Sequence, residues 1–99
     1  MSQTETFTHH MIDDLPQQDE AMEALRNALP FLCRRVIVSE DGKTMTFTRE
    51  GSKWATSVED MIRRTVVLQN LPLVVERDTW RDQFHWVHQD QIIVRYTGL

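Results

Sequence analysis

The dipeptide Asp41-Gly42 constrains this chain more than any other two residues. It separates two β-rich runs, residues 34–39 and 43–48. Asp-Gly is the favoured centre of a two-residue type I′ turn, in which both positions take positive φ. Such a turn sets the pairing: Glu40 opposes Lys43, Val38 opposes Met45 and Val36 opposes Phe47. By the two-residue period of a strand these six share one face, and Ser39–Thr44, Ile37–Thr46 and Arg35–Thr48 share the other. The first face is apolar and closed at its tip by an opposite-charge pair. The second carries three threonines, an arginine and an isoleucine. This is the pattern of a half-buried antiparallel hairpin, with the threonines reading as β-propensity on a solvated face.

A helix is expected on each side of this hairpin. The first starts at Asp13 or Asp14, either of which can accept bonds from free backbone N–H groups, with Pro16 in its first turn. Ala21, Leu25, Ala28, Leu29 and Leu32 then recur at helical spacing with Met22 on the flank, and Pro30 ends the helix near Leu29. The second helix starts at Ser57, where Asp60 three residues on completes a variant capping box. Its inner side is Val58, Met61, Ile62, Thr65 and Val66, extending to Leu68, with Glu59, Arg63 and Asn70 roughly opposite. Val66-Val67-Leu68 is apolar more than half way round, which predicts cover on two sides, and Pro72 stops the helix by Leu71.

Beyond Pro72 the sequence reads as strand: residues 73–77, then 84–88 and 91–97, with a polar turn or short helical piece around Trp80 and a connection near Gln89-Asp90; the alternative for residues 84–87 is a helix beginning near Asp78. The predicted fold is therefore α+β, in the order α-β-β-α-β-β-β. A mostly antiparallel sheet of four to five strands carries two helices on one face. Residues 1–12 are expected to be a flexible arm and 13–99 a single domain, which suits a chain of 99 residues. The predicted core is Leu25, Leu29, Val36, Val38, Met45, Phe47, Met61, Ile62, Val66, Val74, Ile92 and Val94.

Motifs for chemistry are scarce. Fifteen acidic side chains against eleven Lys and Arg give a formal charge of −4, which opposes binding to duplex nucleic acid by charge alone. The one cysteine, Cys33, excludes a disulfide framework and a multi-cysteine zinc site, and its flanking Arg34 and Arg35 are the only hint of a reactive thiol. No apolar run approaches the roughly 20 residues that span a bilayer, and Met1 to His10 lack a leader pattern, so a reducing, cytoplasmic setting is expected. His9-His10 lies on the expected arm. His85 and His88 share a face on a helix but not on a strand, and the strand is the better reading. There is no nucleophile elbow and no phosphate-binding glycine loop, so neither metal nor cofactor is expected.

Three tryptophans in so short a chain are more than a small core readily holds. Trp54 and Trp80 both sit beside loop-like sequence, and Trp and Arg dominate protein interfaces. The expected contact residues are Trp54, Trp80, Arg35, Arg49 and Lys53. They point to a small non-catalytic interaction module: an adaptor, inhibitor or assembly factor for a protein partner. A late strand over residues 92–97, if at the sheet edge, offers pairing to a partner or to a second copy as a homodimer. The alternative is a single-stranded nucleic-acid binder built on Arg34, Arg35, Arg49, Lys53 and Trp54. The remaining reading is a metal- or thiol-dependent enzyme using His85 and His88 or Cys33.

Overall fold

Helix α1 spans Gln18–Ala28 and β1 is the short strand Ile37–Val38; β2 follows over Thr44–Glu50 and helix α2 over Thr56–Leu68. Strands β3, Leu73–Arg81, and β4, Val87–Tyr96, complete the order. The computed structural model describes residues 17–32 and 36–98. The expected arm, Asp13, Asp14, Pro16, Cys33, Arg34 and Arg35 lie outside the described residues.

The fold is α+β: four antiparallel strands in the order β1-β2-β4-β3, with both helices on one face. The hairpin register is the one the Asp-Gly turn implies, with Ile37 opposite Thr46 and Val38 opposite Met45. The turn itself differs. Ser39 O accepts from Gly42 N at 2.9 Å, so Glu40 and Asp41 are the central residues and only Gly42 is left-handed, at φ 73°. Asp41 organises the loop by accepting from Ser39 Oγ at 2.6 Å and Lys43 N at 3.0 Å, and Ser39 Oγ in turn accepts from Thr44 N. The side chains thus close a longer loop that keeps the same register.

Helix ends follow the two prolines. The C-cap residue Leu29 donates to Leu25 O just before Pro30. At the end of α2, Leu71 N donates to Val66 O and Asn70 N to Val67 O, with Asn70 left-handed at φ 50°. This is a Schellman ending, completed by apolar Leu71 packing in the core with Val66. The helix starts do not follow expectation. The N-caps are Gln17 and Ala55, and neither makes a side-chain capping bond, so Ser57 and Asp60 form no capping box.

The second half of the chain departs most from the sequence reading. Strand β3 runs on through the supposed polar turn to Arg81, and β4 is one strand through Gln89-Asp90. There are two late strands, not three, joined by a turn over residues 82–86. β4 is also central, between β2 and β3, so residues 92–96 cannot serve as an edge. The edge is β3.

The packed face of the sheet carries Met45 and Phe47 from β2, Leu73 and Val75 from β3, and Ile92 and Val94 from β4. Ala21, Met22, Leu25 and Leu29 of α1 and Ile62 and Val66 of α2 close over it. Val36, Val38 and Met61 pack at its margin. Val74, expected in the core, lies on the opposite face because Leu73 and Val75 take the inward positions. Val67 and Leu68 are exposed, so α2 is covered on one side only. Glu59, expected outward, turns toward Arg77. No described helix is long and apolar enough to cross a membrane.

Candidate interaction surface

Toward its far end the packed face changes from apolar to ionic. In register, Arg77 lies opposite Ile92 and Thr79 opposite Asp90. Asp90 is fully buried. Its Oδ2 accepts from Arg77 Nη2 at 2.6 Å and from Trp54 N at 2.6 Å; its Oδ1 accepts from Thr79 Oγ1 at 2.7 Å. Arg77 donates further to Glu59 Oε1 at 2.8 Å and to Trp54 O at 2.6 Å. A buried carboxylate is tolerated only when its charge and lone pairs are matched, and here they are. The cluster ties β3, β4, the start of α2 and both backbone groups of Trp54 into one joint.

That joint has a pH signature. Burial pushes the Asp90 carboxyl up, but the bonds from Arg77, Thr79 and Trp54 N–H together outweigh it and hold it below its ordinary value. Glu59 is held low by Arg77 and then Arg63. A carboxyl whose folded value is depressed contributes its full stability above its unfolded value, about 4, and loses it as pH falls through the folded value. Urea midpoints should therefore change little through these groups between about pH 5 and 7 and fall below about pH 4. Asp90→Asn should remove part of that acid slope, measured by urea titration across pH.

The strongest surface feature lies at the β3–β4 turn. Asp82 Oδ1 accepts from Phe84 N at 2.8 Å and Trp86 N at 3.1 Å, and Asp82 O accepts from His85 N at 3.0 Å. Asp82 N donates to Trp86 O at 3.1 Å, and Arg81 Nη1 to His85 O at 3.0 Å. His85 takes the left-handed conformation, φ 68°, that lets the chain reverse. His88 Nε2 donates to Asp82 Oδ2 at 2.9 Å, and this bond is the main cause of Asp82's lowered pKa. His88 reaches Asp82 from a β-bulge: Trp80 pairs with Gln89 and Arg81 with Val87, which leaves His88 as the extra residue. Its ring lies 4.8 Å from that of Trp80.

Most amide groups of this turn bond within it, and its large side chains are left to solvent. Trp80, Phe84 and Trp86 are 60%, 69% and 72% exposed. Three large aromatic residues presented on one hairpin end are uncommon for a surface without a binding role.

The residues singled out from the sequence separate. Trp80 is on this surface, facing the solvated side of the sheet. Trp54 is half-buried against the core and donates its indole N–H to Phe47 O at 3.0 Å. The Arg49 guanidinium lies 5.9 Å from the Trp54 ring centroid, a cation–π contact, and Lys53 is exposed nearby. Arg35 lies outside the described residues. His85 is in the turn and His88 in the strand, and no group of three or more metal-ligating side chains occurs among the described residues. The sequence pattern places Phe84 and Trp86 in a strand; they are instead the exposed tip. The local signal for them is Asp82 two residues before Phe84, the spacing of an Asx-turn. No protein-family model matches the chain, and no curated protein or solved structure matches it either.

Proposed function

We propose that this protein is a small non-catalytic interaction module that binds a protein partner through the aromatic end of its β3–β4 hairpin. The observation that carries this reading is the joint exposure of Trp80, Phe84 and Trp86 on a turn closed by its own hydrogen bonds. Preorganised aromatic side chains give much contact area for little loss of conformational freedom on binding. The site residues are thus Trp80, Phe84 and Trp86, with Arg81 and His88 beside them. Trp54, Arg49 and Lys53 form a secondary margin near the start of α2.

A single-stranded nucleic acid needs cations tracking its backbone. Arg49 and Trp54 do lie together, but Arg63 and Arg77 are held on Glu59 and Arg95 on Glu76, which leaves few described cations free to extend that patch along a strand. This distribution supports the protein-partner reading over the nucleic-acid one.

The test compares affinity capture from native lysate by the wild-type chain, by a Phe84→Ala/Trp86→Ala variant and by a Val67→Ser/Leu68→Ser control. Proteins retained by wild type and control and lost from the tip variant are expected. Both tip side chains are exposed, so the melting temperature should move little. Identical captures by all three would refute the proposal, and salt-sensitive capture of RNA would replace it with the nucleic-acid reading.

A further inference from the structure

Strand β3 is the long edge of the sheet: nine residues that pair with β4 on one side only among the described residues. No described hydrogen bond engages its outer edge between Val74 and Trp80. An open edge presents unpaired N–H and C=O groups that an extended segment can complete. Its solvated row reads Val74, Glu76, Asp78 and Trp80, ending beside the aromatic tip.

Charge decides what can add there. Two copies of β3 pairing antiparallel must place side chains of the same face opposite each other. Centring that pairing on Glu76 sets Glu76 against its own copy, and centring it on Asp78 does the same for Asp78. Centring it on Arg77 sets Glu76 against Asp78. Each of these three registers, which pair the most residues of β3, juxtaposes carboxylates, and this disfavours a second copy of this chain. Glu76 is matched by Arg95 at 2.5 Å, whereas Asp78, opposite Gln91, has no salt bridge among the described residues. An incoming strand with a cation beside Asp78 would neutralise it, and a side chain two residues along would lie against Trp80.

We infer that the outer edge of β3 accepts an extended, basic segment of the protein partner as a fifth strand, with a Lys or Arg beside Asp78. This rests on the proposed function and names the chemistry of the partner. It is tested with two synthetic peptides of alternating Val and charged residues, one with Lys and one with Glu, titrated into the ¹⁵N-labelled full chain. The Lys peptide is expected to shift residues 74–80 and slow exchange of their outward amides, with affinity falling as salt is raised. Asp78→Lys should weaken the Lys peptide at least tenfold and confer binding of the Glu peptide, while the unperturbed remainder of the spectrum reports that the fold is kept. Equal binding of both peptides, shifts confined to residues 82–88, or no binding of either at millimolar concentration would each overturn the inference. So would sedimentation as a dimer that Asp78→Lys disrupts. These outcomes are separate from the tip test, in which Phe84→Ala/Trp86→Ala alone decides whether the hairpin end captures a partner.

Discussion

Asp90→Ala should cost about 3–5 kcal/mol, the usual price of removing one partner from a buried ion pair. The carboxylate is completely buried and accepts from Arg77, Thr79 and the Trp54 amide. Its loss strands the Arg77 guanidinium beside an empty volume and frees the Trp54 backbone from the sheet. For a domain of this size that is a fall in Tm of roughly 15 °C or more, read by circular dichroism. Asp90→Asn keeps two of the acceptor roles and should fall between. Arg77→Met combined with Asp90→Leu should recover part of the loss, because removing both charges ends the desolvation penalty. Recovery stays incomplete, since Glu59 and the Trp54 carbonyl lose the donor they share. A loss below about 1 kcal/mol for Asp90→Ala would mean that water reaches the carboxylate and that the joint does not hold the hairpin.

Trp54→Ala should be the next largest effect, about 2–4 kcal/mol, at or below the range for removing a fully buried large aromatic side chain. The ring packs against the core, its N–H bonds Phe47 O, and Arg49 lies over its face. Trp54→Phe keeps most of the packing and loses the indole bond, worth about 1 kcal/mol. Trp80→Ala, by contrast, removes a ring that is mostly in solvent and should change stability by about 0.5 kcal/mol or less. Chemical denaturation of the three variants separates them. The sequence treats Trp54 and Trp80 as a pair of contact residues, and neither is expected from it to affect melting. The structure splits them, and a small Trp54→Ala effect together with a large Trp80→Ala effect would reverse that division.

What the sequence makes legible is local. Asp41-Gly42 sets the β1–β2 register because a short loop between alternating runs leaves few others, even though the turn type differs. Pro30 and Pro72 mark helix ends because a missing N–H acts regardless of tertiary context. The late strands are obscured where tertiary contacts replace apolar burial with polar burial. Along β3 the inward row is Leu73, Val75, Arg77, Thr79, and the alternation breaks at Arg77. Asp90, an inward residue of β4, resembles a turn aspartate when its partners 11 and 13 residues away are unseen. The same two residues thus hide both strands and build the joint. At the tip, Phe84 and Trp86 carry the composition of buried strand residues, and they turn outward in a turn built by Asp82's bonds to their amides and by the left-handed His85.

The proposed function requires that the sheet hold an aromatic hairpin end ready for contact with a protein. Once a captured partner is purified, alanine replacements of the exposed apolar residues Phe31, Val67, Leu68, Trp80, Phe84 and Trp86 measure it by their change in Kd. The expected result is a cost above about 2 kcal/mol for at least one of Trp80, Phe84 and Trp86, and near-neutral values at Phe31, Val67 and Leu68. A cost concentrated on Val67 and Leu68, with the hairpin end silent, would contradict it.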